Sequence, residues 1–318
     1  MKGRGAEPGS LETGYHLPVM AEEVLEFLIT DPEGLYLDAT LGGGGHARKI
    51  LDRLGPGGGL IGLDRDMEAV QRNRIAFAGD ARVRIHQAEF SRLGEFCPAG
   101  GLTGALFDLG VSSRQLDEKA RGFSFSPGTE LDMRMGQGQG PTAAEMLAAW
   151  DEEELAGILW RNADIEESRR LARRIKALAD EGHVMTSDLV RKAVDMLPGV
   201  RSDRRNSLLA RVFQAIRMEV NQEMREVGSG LEAAVLALRK GGRLCVLTYH
   251  SVEDRKVKET LARFERDCLC PPGLPVCICG GNRRILRKSV RKPVLPTAEE
   301  RSANTRARSA KLRAVEKV

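Results

Sequence analysis

Residues 37–51, LDATLGGGGHARKIL, set an acidic side chain, Asp38, four positions ahead of the glycine run Gly42 to Gly45, with His46 and a helix-like stretch behind it. Glycines at a strand-to-helix turn leave backbone N–H groups free, let a ligand press against main chain that carries no Cβ, and place it at the positive end of a helix dipole. A second acid, Asp64, lies 22 residues beyond Gly42 at the end of the apolar run GLIGLD. A carboxylate placed there can accept hydrogen bonds from both hydroxyls of a ribose. Together the turn and the acid point to a nucleoside-bearing cofactor without choosing it. Gly42, Gly44 and Ala47 also satisfy the G-x-G-x-x-G/A dinucleotide fingerprint, so NAD and S-adenosylmethionine both stay open on these residues. A phosphate-cradling P-loop is excluded, because no G-x-x-x-x-G-K-[ST] run is present.

Three further groups carry polar chemistry. DLGVSSRQLDEKARGFSFSPGTELDMRM, residues 108–135, is too rich in polar side chains and glycine to be a plain connection. His250, Ser251, Glu253 and Asp254 in TYHSVEDR read equally well as site residues or as a charged helix start with His250 beside it. A Ser-His-Asp hydrolase is disfavoured, since there is no G-x-S-x-G elbow and adjacent residues seldom reach triad geometry. Cys268, Cys270, Cys277 and Cys279 form C-x-C-x6-C-x-C. Four thiolates can close a tetrahedral zinc site, but C-x-x-C is the commoner spacing. The expectation is a reduced, packed loop with no metal.

These residues need a scaffold, and the apolar runs supply one. GLYLDA, GLIGLD and TGALFDLG each carry an Asp at or near the right-hand end and are separated by segments with helical patterning. Repeated strand then helix predicts a parallel sheet covered on both faces, with ligands bound at the carboxyl ends of its strands. Asp38, Asp64 and Asp108 would then face one crevice. From about Gly136 the next stretch contains no convincing strand: TAAEMLAAW, DEEELAGILW, EESRRLARRIKALADEG and TSDLVRKAVDML read as successive helices. The first and last open on a Thr suited to N-capping, and Pro198-Gly199 stops the last. One long stripe, Leu208 to Leu238, follows, with an interruption expected near Gly228 and Gly230. GGRLCVLTYH then returns to a strand and SVEDRKVKETLARFERD to a helix, so the sheet domain is discontinuous.

Composition bounds the partners. With 42% apolar side chains in 318 residues, the chain can bury a substantial core and is not a disordered tail protein. No stretch approaches the ~20 apolar residues of a membrane span, and no signal-peptide core is evident, so a cytoplasmic protein is expected. Six cysteines in a chain of this length fit a reducing compartment, and no disulfides are expected. From Arg283 onward twelve Lys/Arg face three Asp/Glu, a net of +9 that leaves −5 for the rest of a chain totalling +4. A second basic stretch, residues 191–217, holds seven Lys/Arg against two Asp. Such clusters attract a polyanion, although a solvated basic face gives the same pattern.

At residues 108–135 a resemblance resolves the cofactor. HLPVM, DATLGGGGHARKIL, GLDRD, DLGVSSRQLD, RGFSF, LDMRM, RVFQAIRMEVNQE, GGRLCVLTYHSVEDR and NTRARSAKLR, spread in order from residue 16 to 313, resemble the bacterial small-subunit ribosomal RNA cytosine-N4 methyltransferases of the RsmH (MraW) type. The resemblance implies an α/β, class I S-adenosylmethionine-dependent methyltransferase fold, Rossmann-like and doubly wound, with an inserted helical domain that helps recognise RNA. The corresponding limits are 1–135 and 207–318 for the two parts of the methyltransferase domain, the second ending in a basic tail, and 136–206 for the insert. The implied cofactor contacts are Gly44, Gly45, His46, Asp64, Phe90, Asp108 and Gln115, of which Phe90 and Gln115 come from the likeness alone. The implied substrate is the exocyclic N4 amine of a cytidine in the decoding region of 16S rRNA, within the small ribosomal subunit.

That amine is a poor nucleophile because its lone pair is delocalised into the ring. A hydrogen-bond acceptor that holds one N–H and turns the lone pair toward the methyl would help. Where many amino-methyltransferases carry a (D/N/S)-P-P-aromatic run, this chain has Asp108-Leu109-Gly110-Val111-Ser112-Ser113, with no proline pair. Asp108, Ser112 and Ser113 are therefore the expected catalytic residues. RKSVRKP and NTRARSAKLR are cationic enough to touch phosphates but lack interleaved aromatics for stacking on bases.

Overall fold

Alternating apolar strands and amphipathic helices assemble as the periodicity predicts, around one twisted sheet. The computed structural model describes residues 18–318, apart from 112–114, 116, 117, 137, 139, 269, 272, 273 and 275. The strands are β1 (Leu35–Asp38), β2 (Gly59–Asp64), β3 (Val83–Gln87), β4 (Leu102–Asp108), β5 (Leu238–Thr248), β6 (Leu286–Lys288) and β7 (Lys311–Lys317), in the spatial order 3-2-1-4-5-7-6. β1 to β5 pair in parallel, whereas β7 runs antiparallel to both β5 and β6. Helices α1 (Ala21–Leu28), α2 (Gly45–Leu51) and α3 (Met67–Ala76) belong to the first half of the sheet. The strand order reverses between β1 and β4, which opens a crevice at their carboxyl ends.

Register decides how deep each acid sits. Asp38 is level with Gly62 on β2 and Leu106 on β4, so Asp64 and Asp108 lie two residues further along their strands. Side chains two apart share a face, so all three acids point the same way, with Asp38 at the floor. Its exposure is 1%.

The helical excursion comprises α4 (Ala143–Ala149), α5 (Glu152–Ala163), α6 (Ser168–Asp180), α7 (Ser187–Asp195) and α8 (Ser202–Val220). Capping boxes fix the starts of α4, at Thr142, and α5, at Asp151. Thr186 sits at the N-cap of α7 but makes no side-chain cap bond; the neighbouring Ser187 hydroxyl donates to the Ser126 carbonyl instead. These helices close on a core of their own, to which the segment after β4 contributes Phe123, Leu131, Met133 and Met135. The expected limit at residue 206 falls inside α8, whose Leu208, Leu209, Val212, Phe213 and Ile216 all pack in that helical core.

The long stripe breaks elsewhere than its glycines. α8 ends at Val220 and α9 (Glu223–Ala237) begins after Gln222, which turns the chain with φ 49°. The buried Asn221 drives the break: its amide donates to the Met133 carbonyl and accepts from the Met135 N–H, tying the hinge to the segment after β4. Gly228 and Gly230 stay helical. A Cβ on Gly230 would meet the Cβ of Phe90 at 2.4 Å, so this glycine marks a close contact and not a stop. After β5, α10 (Ser251–Glu265) and α11 (Ala298–Ala303) complete the helices. The basic segment NTRARSAKLR is no tail. Ala307, Ala310 and Leu312 are buried, and its end forms the start of β7.

Candidate active site

The glycine turn is built from both sides. Gly42 and Gly44 adopt φ values of 49° and 78°, a left-handed backbone that side chains resist. Asn73, buried on the face of α3 that also buries Ala69 and Val70, donates to the Gly42 carbonyl, and its Oδ1 would stand 2.1 Å from a Cβ on Gly44. A Cβ on Gly45 would press on Pro18 at 3.3 Å. Gly43 is different: a Cβ there would meet nothing within 4 Å. Its bareness serves no contact among the described residues, so the turn keeps open space on that side.

Asp64 braces the same turn. Its Oδ2 accepts the Gly42 N–H at 2.8 Å, and its Oδ1 accepts the Asp66 N–H at 2.8 Å. Asp38 accepts from the Thr40 N–H at 3.1 Å through Oδ1, while Oδ2 is buried without a hydrogen-bond partner among the described residues. Burial pushes both carboxyls up, each to about 6. Asp108 is more open, with 25% of its side chain exposed. Its backbone N–H donates to the Thr40 hydroxyl, its Oδ1 accepts the Tyr249 hydroxyl at 2.5 Å, and its Oδ2 lies 3.5 Å from His46 Nδ1. Burial raises this carboxyl too, opposed by His46 and by the Tyr249 hydrogen bond. His46 is itself buried, and its Nε2 stands 3.0 Å from the Val19 carbonyl. A carbonyl can only accept, so Nε2 carries a proton.

Around this centre the remaining residues fall into place unevenly. Phe90 follows β3 and meets Phe107 edge-on at 5.3 Å between ring centroids, partly exposed and backed by Gly230. Gln115 is buried and donates to Asp66 at 3.2 Å, two residues from Asp64, beside a buried Arg121 that donates to the same carboxylate at 2.9 Å. Ser112 and Ser113 lie outside the described residues. Tyr249 apart, the TYHSVEDR residues disperse. His250 caps α10, its Nδ1 accepting the Glu253 N–H; Ser251 faces Asp164; Asp254 pairs with Arg313 and Lys311 of β7. Glu253, 1% exposed, stands 2.7 Å from His250 Nε2 and 4.0 Å from Arg217, and the His250 hydrogen bond together with the Arg217 charge holds it below the ordinary range despite its burial.

Sequence reading missed Asn73, Arg121 and Asn221. Only Asn73 left a signal, its place on the inward stripe of α3 four residues after Ala69. The basic stretch at 191–217 is also less available than its count implied. Arg217 chelates Glu223, Arg211 donates to the Ala163 and Asp164 carbonyls, and Arg191 donates to the Phe125 carbonyl.

The site is thus a switch-point crevice holding three carboxylates, faced by one imidazole and by Arg65, whose guanidinium is paired with Glu89. Parallel β1 to β5 in the order 3-2-1-4-5, closed by an antiparallel β7 between β5 and β6, is the arrangement of class I methyltransferases. A model of the MraW methylase family matches residues 13–318. Ribosomal RNA small subunit methyltransferase H of Caldicellulosiruptor saccharolyticus is 39% identical over 306 residues, 95% of this chain and 99% of that protein. Its counterpart in Symbiobacterium thermophilum is 42% identical over 310 residues, 96% and 97% of the two chains. A solved rRNA methylase from Streptococcus thermophilus aligns with 94% of this chain and 93% of its own at 12% identity and a TM-score of 0.41; the strand order, not that likeness, defines the fold here. The chain belongs to the MraW methylase family, the family of those ribosomal RNA small subunit methyltransferases.

Proposed function

We propose that this chain transfers the methyl group of S-adenosylmethionine to the exocyclic N4 amine of a cytidine in the decoding region of 16S rRNA, acting in the cytoplasm on the small ribosomal subunit. The observation that carries the cofactor is the acidic lining of the crevice. Three carboxylates converge on a glycine turn, and one buried carboxylate oxygen, Asp38 Oδ2, has no partner. A dinucleotide would bring a pyrophosphate, whose charge those carboxylates repel. S-adenosylmethionine brings a sulfonium and an ammonium, which they attract. The donor supplies an electrophilic methyl on sulfur.

The chain's own residues do the rest. Gly43, Gly44 and Gly45 admit the nucleoside end against bare backbone, and Asp64 exchanges its bond to the Gly42 N–H for the ribose hydroxyls. Phe90 offers an aromatic face one strand beyond Asp64, and Gln115 closes the same side from its contact with Asp66. His46, anchored on the Val19 carbonyl, positions Asp108. Asp108 accepts one N–H of the amine through its less committed oxygen, Oδ2, while Tyr249 holds Oδ1 and fixes the carboxylate plane. Ser112 and Ser113 are assigned to the same step. The helical excursion meets the RNA, and exposed cations such as Arg204 and Arg308 supply phosphate contacts with salt-dependent affinity.

The test is to incubate the protein with labelled S-adenosylmethionine and small subunits from cells lacking the enzyme, then map the labelled nucleotide. Label on N4 of one cytidine supports the reading; label on carbon 5 or a ribose overturns it. Tight binding of S-adenosylhomocysteine with none of NADH separates the cofactor question from the substrate question.

A further inference from the structure

The four late cysteines lie outside the site just described. Between the end of α10 at Glu265 and the start of β6 at Leu286, no described residue is buried. Leu274, Val276 and Ile278 are instead 45%, 70% and 79% exposed. A segment of that length with no apolar core needs another source of order. Among the described residues, the backbone bonds from Arg283 N–H to the Asp267 carbonyl and from Ile285 N–H to the Phe264 carbonyl close its neck.

At its centre the sulfurs of Cys268, Cys270, Cys277 and Cys279 all lie within 4.8 Å of one another. Cys277 is 3.5 Å from Cys279, 3.6 Å from Cys268 and 4.0 Å from Cys270, and Cys279 is 3.7 Å from Cys268. A zinc ion bound by four thiolates at about 2.3 Å sets sulfurs roughly 3.8 Å apart along each tetrahedral edge. The observed separations straddle that value. They are far longer than a disulfide bond of about 2.05 Å, and S–H groups are too weak as donors to gather four sulfurs by themselves.

We propose that Cys268, Cys270, Cys277 and Cys279 form a tetrathiolate site for one zinc ion, which staples the segment between α10 and β6. This differs from the packed loop expected from the C-x-C spacing, because none of the segment's described residues is buried and the two C-x-C arms bring their sulfurs together. Binding converts four thiols to thiolates, releasing four protons to solvent, and leaves the centre with a net charge of −2. A cation stands beside it: Arg283 donates to the Cys279 carbonyl at 3.4 Å. The ion is structural. All four ligands come from the protein, which leaves no open position for substrate. Its consequence is to hold Val276 and Ile278 outward on a fixed knob.

The experiment uses the full-length protein purified without chelator. Elemental analysis should find about one zinc per chain, and X-ray absorption should find four sulfur neighbours at about 2.3 Å. Cys277→Ser and Cys279→Ser should lose the zinc, whereas Cys97→Ser, at a buried thiol in the sheet core, should keep it. Should the ligand variants fail to fold, cobalt exchanged into the wild type answers instead, through the absorption of a tetrahedral cobalt thiolate. Chelation should also speed proteolytic nicking between residues 266 and 285. No zinc in the wild type even after incubation with a zinc salt, iron in its place, cysteines paired as disulfides, or full zinc in both ligand variants would each overturn the assignment.

Discussion

Asp38→Asn isolates the cost of the acidic crevice. Asp38 is 1% exposed, and one of its oxygens has no partner, so its ionised form is poorly accommodated before a cation arrives. Its carboxyl is raised from 3.8 to about 6. At about 1.4 kcal/mol per tenfold change in proton affinity, that amounts to about 3 kcal/mol withheld from the folded state once the group is ionised. The sign follows from proton counts. Between pH 4 and 6 the folded chain binds more protons at this site than the unfolded chain, so this site's contribution falls as pH rises through that window and is flat above it. Asparagine keeps the acceptor for Thr40 but buries an N–H2 without a partner, a cost of about 1 kcal/mol. The variant should therefore be about 2 kcal/mol more stable than wild type at pH 8, with the advantage gone near pH 4. Urea unfolding of both proteins from pH 4 to 8.5, without cofactor, measures it, and groups remote from Asp38 cancel in the difference. The same variant should bind S-adenosylhomocysteine at least tenfold more weakly. A variant less stable than wild type at pH 8, or a difference that does not change with pH, refutes the reasoning.

The glycines should separate by role. Gly44→Ala forces a side chain into a left-handed turn and onto Asn73, and should lower stability by about 2–4 kcal/mol in thermal melts, whereas Gly43→Ala should melt like wild type and lose affinity for S-adenosylhomocysteine in calorimetry. Gly230→Ala should cost about 1–3 kcal/mol by pushing Phe90 off α9, seen as a lower urea midpoint together with weaker cofactor binding. Tyr249→Phe removes a hydrogen bond that lowers the Asp108 carboxyl, so the acid limb of the rate–pH profile should move to higher pH, with kcat down about tenfold. Glu253→Gln removes a charge that raises the same carboxyl, so that limb should move to lower pH, while stability drops by about 3 kcal/mol as Arg217 and His250 lose a buried partner.

What the sequence made legible was local. Strand ends, the glycine turn and the Thr142 cap depend on residues within a few positions, so their chemistry is written in short windows, although Thr186, read the same way, makes no cap bond. Asp38, Asp64 and Asp108 met as expected because a parallel sheet aligns strand ends whatever else happens. The break at Asn221 was not legible, since its cause is a pair of backbone groups at Met133 and Met135, more than 80 residues earlier. Gly228 and Gly230 misled for the matching reason: a helical glycine that admits Phe90 looks, in sequence, like one that ends a helix. Charge counting overstated the free cations for the same reason. Arg313 and Lys311 are spent on Asp254 and Arg287 on Glu316, pairings that exist only once β7 has entered the sheet.

Those long-range contacts also explain how a helical excursion can matter to a crevice on the sheet. Arg217, on α8 in the helical unit, chelates Glu223 and reaches Glu253. Glu253 accepts the Tyr249 N–H, and the Tyr249 hydroxyl holds Asp108. Buried charges rarely add net stability against an apolar replacement, because desolvation consumes the Coulombic gain. What such a chain provides is geometry: each charge is satisfied in one arrangement, so a shift of α8 would leave Glu253 underpaired and free the backbone that orients Tyr249. The Asp108 carboxylate is thereby referenced to the helical unit as well as to its own strand, so a displacement of α8 reaches Asp108 without any contact between the two.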